Sequence, residues 1–287
     1  MSDLPSLGPV LDRLALPYDP AKVAAALLGL PLRVARQLVG VSLATSPEAE
    51  HLLDEMPRIV RSMAIATTDR PERCYGELRG PVLWSETISA RSASAGDPGL
   101  YVCATTTKAY DTDENRVLKA ALASIRHAAA DAEPGTSTRP EAVAPVLRRA
   151  RQNGHQAAHL LEHRTLADVP VTRVTGRTLR RTRAGSRRAT YRPAVELLRR
   201  AQHPLRAAEM DSVADPDVRR RAGILGAVLE ERERLGHSTL LRSRQGRLVA
   251  GPVVYDHREG VSVGGLAVAS AAEAATIVAR AEGTRPS

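Results

Sequence analysis

Apolar positions recur at helical spacing along the first sixty residues. Asp19 precedes Pro20 as a cap precedes a first helical position, and Leu27, Leu28 and Leu30 follow on the same segment. Pro31 opens a second run with Val34, Leu38 and Val41 on one face, so the two segments predict an αα-hairpin. Pro47 opens a third helix carrying Leu52, Leu53, Met56, Ile59, Val60 and Met63. The pattern changes at Asp69-Arg70-Pro71. From Tyr75 to Ala104 short β-forming runs (Val82-Leu83-Trp84, Thr87-Ile88, Tyr101-Val102-Cys103) alternate with Gly-Pro and Gly-Asp-Pro-Gly turns, which predicts a small β unit. A long helix from about Asp113 to Asp131 follows, with Leu118, Leu122 and Ile125 as its core stripe.

The run Glu133–Pro140 reads as a loop and divides the chain into residues 1–132, a helical part with the small β unit, and 141–287, a basic helical and β-hairpin part. Helices are predicted from Pro140 to Leu161 with a break near Gly154, from Pro193 onward, and from Asp217 to Leu235. Thr239–Arg242, Leu248–Tyr255 and Val261–Val268 alternate like hairpins with Gln245-Gly246 as a turn, and a short Ala-rich helix at 270–282 follows. The fold class is α+β, and no internal repeat is visible.

Composition sharpens this picture. The chain of 287 residues has no Phe, one Trp and six Tyr, so Leu, Val, Ile and Ala must fill the core, a makeup that favours helices over a β-sandwich. Of 41 basic residues only Lys22, Lys108 and Lys119 are lysines, and the net charge is +9. A guanidinium fork suits phosphate, so an excess of arginine points to an anionic partner. A compositional preference for Arg codons accounts for Arg over Lys but not for the surplus over Asp and Glu. Cys74 and Cys103 read as buried free thiols. The first residues carry no basic and apolar leader, and no stretch reaches 18 uncharged apolar residues, so a cytoplasmic protein with no membrane partner is expected.

The most specific local text is Tyr110–Lys119. Thr112 or Asp113 can cap a helix there, and Asp113 and Glu114 suit the positive end of its dipole. Capping alone needs no Asn115-Arg116 pair, which suggests polar groups held against a neighbour such as a strand bearing Glu86. This run, Y-D-T-x-E-N-R-x-L-K, with R-G-P-V-L-W-S-E-T at 79–87, resembles the region upstream of the nuclease in McrC-like restriction subunits. It also resembles a related domain of unknown function encoded beside McrB-like AAA+ NTPases. The likeness covers about residues 70–130 and extends loosely to Tyr191–Arg200. Its motif positions are Glu86, Asp111, Thr112, Glu114, Asn115 and Arg116. The resemblance implies a role in restriction or antiviral defence, a separate AAA+ partner, and a PD-(D/E)XK nuclease module. That chemistry needs metal-binding acids and a nearby Lys. No Lys follows Lys119, so the nuclease reads as degenerate or missing.

Two further features carry candidate chemistry. His155, His159 and His163 fall at helical spacing beside Glu162, but three successive turns reach too far to share one ion, so no metal site is assigned. Between Asp168 and Glu196 no acid occurs, while Arg173, Arg177, Arg180, Arg181, Arg183, Arg187, Arg188 and Arg192 do, with Thr172, Thr175, Thr178, Ser186 and Thr190 as neutral donors. That stretch reads as a sequence-tolerant DNA-binding surface. No P-loop or dinucleotide signature occurs, so no cofactor is expected. The reading is a nucleic-acid-binding accessory protein of a restriction-like or DNA-processing system without its own catalysis. Two others remain open: a divergent metal-dependent nuclease using Asp111, Glu114, Asp256 or Glu259, and a basic scaffold for an acidic protein.

Overall fold

The structure, a computed structural model, describes residues 4–133 and 144–283. In chain order its elements are α1 (Gly8–Leu11), α2 (Pro20–Leu28), α3 (Leu32–Ala44), α4 (Pro47–Arg61), β1 (Ala66–Tyr75), α5 (Trp84–Ala93), β2 (Leu100–Ala109) and α6 (Asp113–Ala132). They continue with α7 (Ala144–Leu161), α8 (Arg164–Ala167), α9 (Gly176–Ala184), α10 (Arg188–Gln202), α11 (Ala207–Val213) and α12 (Pro216–Arg234). Strands β3 (Arg242–Arg244), β4 (Arg247–Ala250), β5 (Val253–Asp256), β6 (Gly260–Val263) and β7 (Leu266–Val268) precede α13 (Ala274–Gly283). The class is α+β.

Local chemistry sets many of these boundaries. Asp19 Oδ1 accepts from the N–H of Ala21 at 3.0 Å ahead of Pro20, and Asp215 does the same for Asp217 at 2.8 Å ahead of Pro216. Buried Ser46 receives the Ala49 N–H at the start of α4. Gly29, at φ 68°, stops α2 in the left-handed conformation. Helices α2 and α3 turn through 118° at their junction, and no single helix among the described residues is long and apolar enough to cross a membrane.

The chain forms two compact units, one of residues 1–50, 124–156 and 199–287, the other of 51–123 and 157–198. These units are interleaved along the chain, whereas the sequence pattern divides it at 1–132 and 141–287. The expected loop at Glu133–Pro140 and the helix start at Pro140 lie, past Glu133, outside the described residues. The boundaries between the units fall inside α4, α6, α7 and α10, where nothing in composition marks them.

In the first unit β3 to β7 form an antiparallel meander in sequence order, and the Gln245-Gly246 turn joins β3 to β4 as expected. One face of this sheet packs Leu248, Val253, Tyr255 and Val261 into a core shared with Val23 and Leu27 of α2, Leu225 and Leu229 of α12, and Val278 of α13. Gly154 does not break α7. A Cβ at that position would lie 2.4 Å from Ala129 Cβ of α6, and one at Gly40 of α3 only 2.5 Å from the Ala128 carbonyl oxygen, so both glycines serve close helix packing.

Tyr255 is fully buried, its hydroxyl donating to the Leu27 carbonyl at 3.0 Å. Burial pushes its phenol up to about 12. A raised pKa supports the fold below the unfolded value near 10, and that support fades as pH climbs toward 12. Between those limits the chain is expected to lose about 3 kcal/mol more stability than Tyr255→Phe. Urea midpoints of both proteins across the alkaline range check this, and parallel curves would refute it.

In the second unit β1 and β2 pair antiparallel from Ala66–Ala109 to Tyr75–Leu100. Two expectations change here. First, β1 runs through Asp69-Arg70-Pro71 instead of starting after it. Pro71 is tolerated because Ala104, its register partner, gives its N–H to the Pro81 carbonyl at 2.8 Å. Second, Trp84–Ala93 is helix α5, and only Val82 is strand-like, as a bridge to Cys103. Leu83, Thr87 and Ala90 recur at helical spacing over Leu100 and Val102, and that burial outweighs two short β-forming runs. Thr87 Oγ1 also accepts the Val102 N–H at 2.9 Å. Cys74 and Cys103 are buried and free, as expected, on paired strands. Burial and contact with Cys103 push the Cys74 thiol up.

Candidate nucleic-acid interface

Helix α9 has almost no apolar content, and its placement depends on two residues. Leu179 and Thr182 are buried, Thr182 giving its hydroxyl to the Thr178 carbonyl at 3.1 Å. Thr175 caps the helix by accepting the Thr178 N–H at 3.2 Å. With that side anchored, Arg177, Arg180 and Arg181 lie at i, i+3 and i+4 on the opposite side, flanked by Arg183, all exposed. Arg173 stands exposed on the segment before α9, and Arg188 and Arg192 stand exposed on α10. Helix α10 begins at Arg188, five residues before the expected start, so that Pro193 sits inside it.

Three of the eight arginines are engaged. Arg181 meets Asp113 at 3.4 Å and Arg192 meets Glu196 at 2.7 Å. Arg187 donates to the carbonyls of Ser62 at 3.1 Å and Met63 at 2.7 Å, which makes it a clamp on the end of α4. Among the described residues no hydrogen bond or ion pair is recorded for the side chains of Arg173, Arg177, Arg180, Arg183 and Arg188. Of the neutral donors, Thr175 and Thr178 are spent on the cap, with Thr172 and Ser186 exposed.

Part of this charge, Arg177 and Arg188, stands where a helix by itself disfavours it, while Arg181 and Arg183 fall in the last turn of α9, where a cation is favoured. Helices α4, α6 and α12 place acids in their first turns, whereas α9 and α10 have none there and carry Arg177 and Arg188. A cation at the positive end of a helix dipole costs about 0.3–1 kcal/mol, and a bound anion relieves that cost.

The Tyr110–Lys119 motif forms a buried structural knot. Asn115 is fully buried and its Nδ2 donates to the carbonyls of Ala64 at 2.8 Å and Tyr110 at 2.7 Å. Its Oδ1 accepts the Tyr191 hydroxyl at 2.5 Å, and that hydroxyl in turn accepts the Ala64 N–H at 2.8 Å. Burial raises the Tyr191 phenol. The expected contact with Glu86 is not made, because Glu86 lies exposed in the first turn of α5 beside Ser85. Arg116 grips Asp111 with two bonds at 2.6 and 2.8 Å, and this pairing holds the Asp111 carboxyl below its usual range. Thr112 caps α6 at Asn115, as anticipated. Lys119, buried, gives its ammonium to the carbonyls of Leu166 at 2.7 Å, Ala167 at 3.2 Å and Val169.

Of the other carboxylates proposed for metal chemistry, Glu114 is half-buried in the first turn of α6, and Asp256 and Glu259 are committed elsewhere. Arg247 bridges Asp256 at 2.8 Å and Glu259 at 3.3 Å. Burial raises the Asp256 carboxyl, and the N–H groups of Arg258 and Glu259 with Arg247 more than offset it, leaving it below its ordinary value. The histidine stripe is broken, since α7 stops at Leu161 and His163 caps α8 through the Thr165 N–H at 3.4 Å. Among the described residues no group of three His, Cys, Asp or Glu could hold a metal.

Sequence reasoning missed the part played by Tyr191. Its signal was rarity, since a tyrosine in an arginine-rich helix of a chain with six tyrosines needs a reason to be there. No protein-family model, curated protein or solved structure matches this chain.

Proposed function

We propose that this chain is a nucleic-acid-binding accessory protein of a restriction-like or DNA-processing system, active in the cytoplasm and without its own catalysis. The observation that carries the reading is the exposed arginine surface of α9 and its flanks. Five guanidinium groups there have no recorded partner among the described residues, and no carboxylate occurs between Asp168 and Glu196. Such groups track phosphate oxygens with little base preference, because no exposed aromatic ring lies within 173–192 for stacking. The McrC-like resemblance at 79–87 and 110–119 adds a separate AAA+ NTPase as the partner that would supply motor activity.

Fluorescence anisotropy with labelled single- and double-stranded DNA, titrated at several salt concentrations, tests this. Arg177, Arg180, Arg183 and Arg188 changed together to Ala are the decisive variant, since these four fasten nothing else. Affinity is expected to fall steeply with salt, and the variant's log–log slope to be shallower by about 3–4. Absence of binding near 50 mM salt, or a slope the variant leaves unchanged, would overturn the proposal and turn attention to acidic protein partners.

A further inference from the structure

The unit that carries the five-stranded sheet holds a cleft of about 650 Å³ between the α2–α3 corner and the β3–β4 turn. Its floor is apolar, formed by Ala25, Leu30, Pro31 and Leu32. Its rim carries the cations Lys22 and Arg258 beside the His257 ring, and Ser243 and Gln245 add a hydroxyl and an amide. A second hollow of about 450 Å³ adjoins the first at Lys22 and Ser243 and is lined also by Asp19 and Arg242, and the two are taken together as one groove.

The charges of this groove are largely uncompensated. Lys22 faces Asp19 at 3.8 Å, while the other oxygen of Asp19 is occupied in capping α2. Among the described residues the guanidinium groups of Arg242 and Arg258 have no recorded hydrogen bond or ion pair. The neighbouring Asp256 is held by Arg247 and by two backbone N–H groups. His257 packs so closely on Gly29 that a Cβ there would lie 2.3 Å from its Cδ2. Its Nδ1 is buried without a hydrogen-bond partner, 3.9 Å from Asp256 Oδ1. The walls are thus fixed by tight contacts, as in preformed small-molecule sites, whose volumes run to about 300–1,000 Å³.

We propose that this groove binds a nucleoside phosphate. The cationic rim suits the phosphates, the Leu30-Pro31-Leu32 slab suits the face of a base, and Ser243 and Gln245 can read its edge. A cleft of this volume with an apolar side fits a small molecule better than a continuous strand. The groove lies wholly in one unit and the arginine surface of α9 wholly in the other, so the two readings stand or fall separately.

Isothermal titration and thermal shift of the full chain with ATP, AMP and inorganic pyrophosphate test this. ATP is expected to bind with Kd below about 1 mM, and the double variant Lys22→Ala/Arg258→Ala to weaken it at least about 10-fold. The four-arginine variant of α9 should leave ATP binding unchanged. No binding at about 5 mM ligand would overturn the proposal. So would ATP binding that the double variant does not alter, or pyrophosphate binding as tightly as ATP, which would leave the apolar floor without a role.

Discussion

Asn115→Ala is expected to lower the stability of the chain by about 4 kcal/mol, more than most single substitutions. The side chain is fully buried and closes three hydrogen bonds, two to the carbonyls of Ala64 and Tyr110 and one from the Tyr191 hydroxyl. Truncation leaves two carbonyl oxygens without their amide donor and a phenol without its acceptor. Each orphaned buried group costs about 1–3 kcal/mol, with some relief where water enters. Tyr191→Phe removes less, about 2 kcal/mol, because it abandons the Ala64 N–H and Asn115 Oδ1 while keeping the packing of the ring. Urea denaturation of both variants and of the double mutant measures the coupling, and strictly additive losses would refute a shared network. The DNA binding proposed above should be unchanged in the folded fraction of these variants, since Asn115 is fully buried and presents nothing to a ligand.

The second large effect belongs to Glu282. Its carboxylate pairs with Arg232 between α12 and α13, and the two side chains are only 5% and 4% exposed. Arg232 also donates to the Ser238 carbonyl at 3.2 Å, and its Nε is buried without a partner. Glu282→Ala therefore strands a buried guanidinium, at a cost of about 3–5 kcal/mol. Replacing both partners, as Arg232→Met/Glu282→Leu, should cost far less, because no charge is left to desolvate. Thermal and urea unfolding of the single and double variants decide the matter. A double variant as unstable as the single one would mean that α13 is held by shape alone.

How much of this could be read from the chain depended on how local the cause was. Asp19-Pro20, Pro47 and the Gln245-Gly246 turn act within a few residues, and each was legible. Helix α5 was not, because Trp84, Thr87 and Ile88 favour strand locally, and the segment becomes helical through burial of Thr87 and Ala90 against β2. Residues 110–119 were half legible. The cap at Thr112 is local, but the partners of Asn115, at Ala64 and Tyr191, lie 51 and 76 positions away. Gly154 misled for the same reason, since the Ala129 side chain that requires it belongs to another helix. The arginine surface was visible as a run without acids. Which of its members are free was not, because Asp113 and the carbonyls that Arg187 clamps come from distant segments. Lys22, His257 and Arg258 carried no motif, and only the folded chain brings them to one rim.

The burial of Lys119 against three carbonyls has a chemical consequence. With its ammonium enclosed, only Lys22 and Lys108 among the lysines of the native chain offer an amine to acylating reagents. One of those two stands on the rim of the groove between α2 and β3, so residue-resolved amine footprinting reads that groove against a single internal standard, Lys108 on the β ribbon.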